Sequence, residues 1–297
     1  MAHFTITSNT LLEHYSQAPP SRVFHYTSSD ALIGIISNAE IWATSSMFLN
    51  DSTETSHAIE YMRLVIDNRL KRLAYPIPVI EFLKQIAEKL GHTNSRIYII
   101  SFSELPDSLA QWRAYCPATG GYAIGFPTEH ILDMAKAQGF KLAKCIYDHV
   151  LKYRALEEIV EEVIRNFELH DLQNHDEARE AFLNNCIDYI KEVALIMKNE
   201  AFADEKEYRL ILTTKQLHAG DSMGFRSSNM GVIPYCKFKL TDDEHPSMVK
   251  RGETNLVVCI GPGREQASRQ LSVQTLLHYH LGVGCGGMAT SIPYRTW

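Results

Sequence analysis

Two glutamates and an arginine at alternate positions form the spacing in this chain that most suggests chemistry. Glu205, Glu207 and Arg209 stand in the segment FADEKEYRLIL, whose apolar end is typical of a strand. Alternate residues of a strand face the same side. The three charged side chains are therefore predicted to share one face, while Tyr208 and Leu210 face the core. Such a face is either a salt-bridged surface or a site in which Arg209 orients a catalytic carboxylate or meets an anion.

His25 is a second candidate, because it lies in the short apolar run VFHY over residues 23–26. Such a run fits a buried strand. An imidazole can hydrogen-bond a ribose hydroxyl or a phosphate, and the neighbouring Tyr26 and Thr27 favour a role in ligand binding. A histidine whose hydrogen bonds are satisfied inside the core fits the same run, so both interpretations stand.

The elements that follow His25 determine what it faces. They are a capped helix over residues 28–38, a second strand over residues 41–44 and a hydroxyl-rich loop over residues 45–51. We expect His25 to lie opposite this loop, which contains Ser45 and Asn50. Such a pairing can hold a polar ligand against a rigid sheet. Asn50 either completes that polar wall or caps the next helix.

Three aromatic residues between the next two predicted strands offer flat surfaces. Trp112, Tyr115 and Tyr122 can support a base or a nicotinamide ring, or they can pack in the core. Gly261 to Gly263, between a strand and a helix, fits either a phosphate-binding turn or a plain turn. Arg295 is either an anion ligand or a partner in an ion pair.

Strands and helices alternate without a repeated unit, which predicts an α+β fold built on a mixed central sheet. We expect residues 1–21 to be a lead-in and residues 22–297 to form one domain. A long helical stretch at about residues 150–200, interrupted near residues 171–175, is predicted to be a helical insertion.

Composition limits the functional class. The chain has 297 residues, 45% hydrophobic residues and a formal charge of −6, so no overall basic character favours nucleic acid, although a local basic patch remains compatible. Its six cysteines are scattered, which predicts reduced thiols in a cytoplasmic protein. No apolar run reaches the ~18 residues of a membrane span. No spacing typical of a zinc site occurs, and we expect no metal cofactor.

Several short motifs occur in a fixed order along the chain. They are His25-Tyr26-Thr27, Asn50-Asp51 with Glu54, Ser101-Phe102-Ser103, Gln111-Trp112-Arg113-Ala114-Tyr115 with Gly121 and Gly125-Phe126, Glu205-x-Glu207-Tyr208-Arg209, Gly261-Pro262, and Ser291-Ile292-Pro293-Tyr294-Arg295. Together they resemble the bacterial domain-of-unknown-function family 2971, over about residues 22–295. The family name implies no activity.

The His-Tyr-Thr strand and the late Glu-x-Glu strand also resemble ADP-ribosyltransferases. That resemblance implies that His25 contacts the ribose of NAD and that Glu207, beside Glu205, stabilises an oxocarbenium-like transition state. It implies that Tyr122 or Ser45 supports the nicotinamide ring. Nicotinamide would leave as a neutral group, so the chemistry would need no metal.

From these features we expect an NAD-consuming ADP-ribosyltransferase or NAD glycohydrolase, in the role of a toxin or phage-defence effector. A nucleic acid or a protein would be the acceptor, and an antitoxin or operon partner would silence the enzyme. The alternative is a non-enzymatic module that binds a nucleotide or nucleic acid through the same residues. A phosphodiester-cleaving enzyme with ligands from distant segments is a third hypothesis.

Overall fold

The computed structural model describes residues 6–48, 52–91, 97–116, 120–213, 223–228, 231–244, 256–282 and 286–292. The helices are α1 Asn9–Tyr15, α2 Ser29–Asn38, α3 Ser52–Arg72, α4 Ile77–Lys89, α5 Leu109–Tyr115, α6 Thr128–Gln138, α7 His149–Leu169, α8 Asp176–Ala194 and α9 Gln266–Leu281. The strands are β1 Arg22–Thr27, β2 Glu40–Ser45, β3 Ile97–Ser103, β4 Tyr122–Pro127, β5 Lys141–Lys144, β6 Glu207–Thr213, β7 Met223–Ser228, β8 Gly231–Lys239, β9 Val257–Ile260 and β10 Gly286–Ala289. Short 3₁₀ helices lie at Ser46–Phe48, Leu172–Asn174 and Glu200–Glu205.

The predicted α+β class with a mixed sheet is confirmed. Over the described residues the strands form one sheet in the order β10-β9-β4-β1-β3-β2-β8-β7, and β6 pairs with both β3 and β5. β9 and β10 are parallel, whereas β1 pairs antiparallel with β4 and β2 pairs antiparallel with β8.

The chain divides into two compact units. One comprises Met1–Gln17, Met47–Ile97 and Lys144–Ala203, and the other comprises Ala18–Ser46, Tyr98–Ala143 and Asp204–Trp297. The first unit contains α1, α3, α4, α7 and α8, and the interruption predicted between its last two helices is the 3₁₀ turn Leu172–Asn174. The second unit contains the sheet. A single domain over residues 22–297 remains a prediction.

The two faces of β1 enter different apolar clusters. Val23 packs in the large core that α2, α6 and α9 cover, whereas Phe24 and Tyr26 pack with Trp112 and Cys259 on the other face. The alternation of a strand produces this division. α2 then begins where the Ser28 hydroxyl accepts a hydrogen bond from the Ala31 amide, and it ends at Asn38, as the sequence predicts.

The prediction of a strand from Phe202 to Leu212 is wrong at its start. Glu205 closes a 3₁₀ helix, and Lys206 has a φ of 43°, so β6 begins only at Glu207. A residue in the left-handed region interrupts the alternation of a strand. Glu205 therefore does not share a strand face with Glu207 and Arg209.

Three smaller predictions are also corrected. The sequence predicts that Thr128 caps a helix over residues 128–138, but Pro127 holds the cap position of α6 and the Thr128 hydroxyl has no hydrogen-bond partner. The glycines of residues 220–231 and 282–287 predict a loop and a flexible link, but the first range contains β7 and the second contains the start of β10. Strand pairing, which single-segment composition does not report, creates both strands.

Candidate functional site

The candidate site lies in the second unit, where β1 and β2 meet β3 at different places. β1 pairs with β3 at Phe24 and Ser103, whereas β2 pairs with it at Thr44 and Ile99 and at the following position. A cavity of about 840 Å³ is lined by residues of both strands, together with α2, α5 and β7. Its size falls within the usual range for a small-molecule site, about 300–1,000 Å³.

His25 contributes a partly buried imidazole to the cavity wall. Its Nδ1 lies 2.9 Å from the carbonyl oxygen of Ser101, a β3 residue between the two pairing positions. A carbonyl oxygen only accepts hydrogen bonds, so Nδ1 carries the proton. Burial lowers the pKa of His25, which the bond to Ser101 opposes only in part. The neutral ring therefore leaves Nε2 as a hydrogen-bond acceptor.

The β2 side of the cavity is aromatic and polar. The Trp42 ring stacks on Tyr235, with centroids 4.2 Å apart and planes 13° apart. Arg226 on β7 donates to the Thr44 hydroxyl at 3.4 Å, and both residues line the cavity. The site thus presents a flat ring and a guanidinium on elements that the sheet holds rigid.

One face of α2 forms a third wall. Asp30, Gly34 and Asn38 line the cavity at helical spacing. No atom lies within 4 Å of the position that a Cβ on Gly34 would occupy, so packing does not require a glycine there. The Asn38 amide donates to the Gly34 carbonyl at 2.9 Å.

Tyr115 connects the cavity wall to a buried carboxylate. Its hydroxyl lies 3.3 and 3.4 Å from the two carboxylate oxygens of Glu205, and the tyrosine lines the cavity. The backbone carbonyl of Glu205 accepts bonds from Ser103 Oγ at 2.7 Å and Gln111 Nε2 at 3.3 Å. These bonds position the glutamate beside the α5 end that borders the cavity.

Glu207 has a different environment. Its carboxylate accepts hydrogen bonds from Arg209 Nε at 2.8 Å and from Arg209 Nη2 at 3.1 Å. Their side chains are only 3% and 4% exposed, respectively, so this is a buried bidentate ion pair. The two residues share a face, as predicted, while Tyr208 and Leu210 pack in the large core. None of the three charged residues Glu205, Glu207 and Arg209 lines the cavity.

Two of the predicted aromatic surfaces serve packing. Trp112 is buried, packs edge-on against Tyr26 with centroids 4.6 Å apart, and donates from Nε1 to Asp107 at 2.7 Å. Tyr122 lies beneath the guanidinium of Arg269, 5.0 Å from its ring centroid. Neither Trp112 nor Tyr122 lines the cavity, whereas Tyr26 and Tyr115 do.

The remaining predicted residues are distributed as follows. Thr27 lines the cavity, whereas Ser45 is buried and pairs with Tyr98 on β3. Gly261 makes a structural contact, because a Cβ there would lie 2.7 Å from the Trp112 ring. Asn50 and Arg295 lie outside the described residues.

Cys116 borders the cavity but is not poised as a nucleophile. Burial raises the pKa of its thiol to about 11, and bonds to the backbone of Tyr122 and Thr27 offset this only in part. The thiolate is the reactive form of cysteine, so Cys116 is protonated at neutral pH. Its sulfur also fills the space beside Gly121, where a Cβ would lie 2.1 Å away.

Sequence reasoning missed Trp42, Arg226 and the α2 wall. The alternation of EIWATS places Trp42 and Thr44 on one face, which is a usable signal once the strand is recognised. Arg226 lies on β7, which the sequence predicts as a loop.

Within the described ranges, no group of three or more His, Cys, Asp or Glu residues is arranged to hold a metal ion. No helix in that part of the chain is long and apolar enough to cross a membrane.

The comparisons with known proteins support one of the two resemblances. The model of the family described as "Protein of unknown function (DUF2971)" matches residues 111–210. The resemblance to domain-of-unknown-function family 2971 is thereby confirmed over a segment that includes most of α5, Glu205 and Glu207. No curated protein and no solved structure matches the chain.

Proposed function

We propose that this protein is an NAD-consuming enzyme that transfers ADP-ribose or hydrolyses the nicotinamide bond, and that the β1–β2 cavity binds NAD. The observation that carries the proposal is the neutral His25 at the cavity wall. Its proton is fixed on Nδ1 by Ser101, so Nε2 accepts a hydrogen bond from a ribose hydroxyl. This is the role that the resemblance to ADP-ribosyltransferases implies.

The other walls of the cavity contain groups that can bind the diphosphate and the rings of a dinucleotide. Arg226 offers a guanidinium for the diphosphate, and guanidinium groups match phosphate geometry. Tyr115 offers a ring and a hydroxyl that is hydrogen-bonded to the carboxylate of Glu205. A volume of about 840 Å³ accommodates much of such a ligand.

The reaction would break the bond between ribose C1′ and the nicotinamide nitrogen. Nicotinamide leaves with the bonding electron pair as a neutral molecule, and positive charge develops on the ribose. A carboxylate near C1′ stabilises that charge in a site shielded from water. The acceptor oxygen or nitrogen then bonds to C1′ and releases its proton to solvent.

Of the two candidate carboxylates, Glu205 fits this role better than Glu207. Neither carboxylate lines the cavity, but Glu205 is hydrogen-bonded to Tyr115, which does, whereas Glu207 is held in a buried pair with Arg209. A carboxylate neutralised by a bidentate guanidinium has less capacity to stabilise a further positive charge. We therefore assign the electrostatic role to Glu205 and a structural role to the Glu207–Arg209 pair.

The test is nicotinamide release from NAD by the purified protein. We expect Glu205→Gln to lower the rate by about 10²–10³-fold, the usual loss when one group that stabilises a transition state is removed. Glu207→Gln is the matched control two residues away and should retain more activity than Glu205→Gln in the protein that remains folded. Equal losses in both variants at equal thermal stability would refute the assignment.

A pair of substitutions at His25 tests whether Nε2 of its neutral ring accepts a hydrogen bond from the ribose. His25→Asn places an amide donor where Nδ1 stands and removes Nε2, whereas His25→Gln places polar atoms near Nε2. We expect Asn to keep the fold and raise KM for NAD, and Gln to retain more affinity. An unchanged KM in both variants would remove the ribose contact from the proposal.

The second candidate function is a binding module without catalysis, and the paired state of Glu207 favours it. The same cavity would then hold a nucleotide without breaking a bond. Thermal stabilisation by NAD without nicotinamide release, in wild type and Glu205→Gln alike, would establish this alternative.

A further inference from the structure

We infer that Trp42 and Tyr235, with Lys237 and Lys239, form a stacking platform for a base of single-stranded nucleic acid, the acceptor class of the proposed reaction. This inference rests on the proposed function for the role of acceptor only. The binding itself stands on the geometry of β2 and β8 and is measured without NAD.

The platform is a rigid aromatic pair with one open side. Trp42 is 44% exposed, although its ring stacks on the buried Tyr235. Its indole Nε1 donates to Glu40 Oε1 at 3.0 Å, so the ring is fixed at its polar edge as well. A large, preoriented aromatic face that remains exposed is the feature on which unpaired bases stack.

A glycine on β7 leaves space for the Tyr235 ring that supports Trp42. Gly224 on β7 lies opposite Tyr235 in the ladder, and a Cβ at this glycine would lie 2.5 Å from the tyrosine ring. Only a glycine lets Tyr235 lie flat over β7 and support Trp42.

Cations flank the ring on the same face of the sheet. Lys237 lies directly opposite Trp42, and Lys239 lies opposite Glu40, so strand alternation places these side chains together. The Lys237 ammonium is 3.1 Å from Glu40 Oε1, the atom that also holds the indole. Two lysines against one glutamate make this strip locally positive in a chain with a formal charge of −6.

An aromatic face with flanking cations is the recognition chemistry of single-stranded nucleic acid. In a duplex, the bases are stacked on one another and are not available to a side chain. Since Trp42 also lines the NAD cavity, a base held on it would lie at the cavity wall, where the activated ribose is expected.

The experiment measures binding of fluorescent 12-nucleotide DNA and RNA strands, and of the matching duplex, to the full chain by anisotropy without NAD. We expect Trp42→Ala to weaken single-strand binding about tenfold, because the substitution removes the stacking surface of one base. Trp42→Phe should be intermediate. Phe225→Ala is the matched control, since Phe225 is 67% exposed and lies on the opposite face of β7 from Arg226.

The contribution of Lys237 to binding the strand is measured by the salt dependence of the affinity. Lys237→Gln should reduce the slope of log affinity against log salt by about 0.7, the value for one phosphate contact on a single strand. Lys136→Gln, at an exposed position on α6, is its control and should leave the slope unchanged.

Tryptophan fluorescence keeps the inference falsifiable if Trp42→Ala does not fold. Stacking should quench the emission of Trp42 in the wild type, and Trp42→Phe should abolish that quenching.

Binding that favours the duplex, or equal binding by all variants, would overturn the inference. A rise in KM for NAD in Trp42→Phe with unchanged strand binding would assign the platform to NAD instead and would equally overturn it. Failure of strand binding with intact nicotinamide release would leave the proposed function standing.

Discussion

The cavity wall and the buried ion pair on β6 use polar side chains in opposite ways. At the wall, His25 commits Nδ1 to Ser101 and keeps Nε2 as an acceptor, in a partly exposed position. On β6, Glu207 and Arg209 bind each other through two hydrogen bonds and are almost fully buried. A conspicuous charge pattern in the sequence can therefore stabilise the fold through a buried ion pair, whereas the His25 imidazole can bind a ligand through Nε2 because only Nδ1 is committed to the backbone.

The ion pair should be where a single substitution costs most. Arg209→Met would leave the Glu207 carboxylate buried beside an apolar side chain, and breaking one side of a buried pair costs about 3–5 kcal/mol. Urea unfolding would measure this loss. The double variant Glu207→Gln with Arg209→Met should recover much of the stability, because neither residue of the pair then carries a buried charge. A loss below about 1 kcal/mol in the single variant would contradict the buried pairing.

A substitution at Gly34 should change the free energy of unfolding by a smaller amount, and it should stabilise the protein. Alanine is favoured over glycine inside a helix by about 0.5–1 kcal/mol, and no atom lies within 4 Å of the new methyl group. We expect Gly34→Ala to raise the free energy of unfolding by this amount and to weaken NAD binding, because the methyl group enters the cavity. Gly125→Ala is the contrasting control and should destabilise, since its Cβ would lie 2.5 Å from the Phe24 ring. Destabilisation by Gly34→Ala would contradict the open space beside Gly34 on the cavity side of α2.

The smallest effect should be a pH dependence from His25, because it involves one group and develops gradually. Burial lowers the folded-state pKa of His25 below 6.5, so the unfolded chain binds a proton that the folded chain does not. Its contribution to stability is therefore complete above pH 6.5 and is lost as the pH falls below that value. Comparing unfolding of wild type and His25→Asn at pH 7.5 and 5.5 isolates this contribution. The same pH dependence in both proteins would show that His25 does not titrate in this way.

Much of the framework follows from local sequence. The segment LAQWRAY over residues 109–115 predicts one or two helical turns, and α5 forms there. The strand–helix–strand unit from Arg22 to Ser45 also forms, with its Ser28 cap. Capping hydroxyls and apolar periodicity act over a few residues, so helices and strands that depend on them can be predicted without knowledge of tertiary contacts. The same reasoning fails at β7 and β10, which exist because neighbouring strands pair with them.

The α+β class, the place of His25 on the first strand and the shared face of Glu207 and Arg209 follow from the amino-acid sequence alone. Contacts between distant segments decide that the Glu207–Arg209 pair is buried, that Glu205 is hydrogen-bonded to Tyr115, and that the exposed Trp42 stacks on Tyr235. Residue type and spacing fix which groups share a local element. Which partner satisfies each group depends on contacts between residues far apart in the chain, such as Tyr115 and Glu205, and these contacts leave no local periodicity to detect.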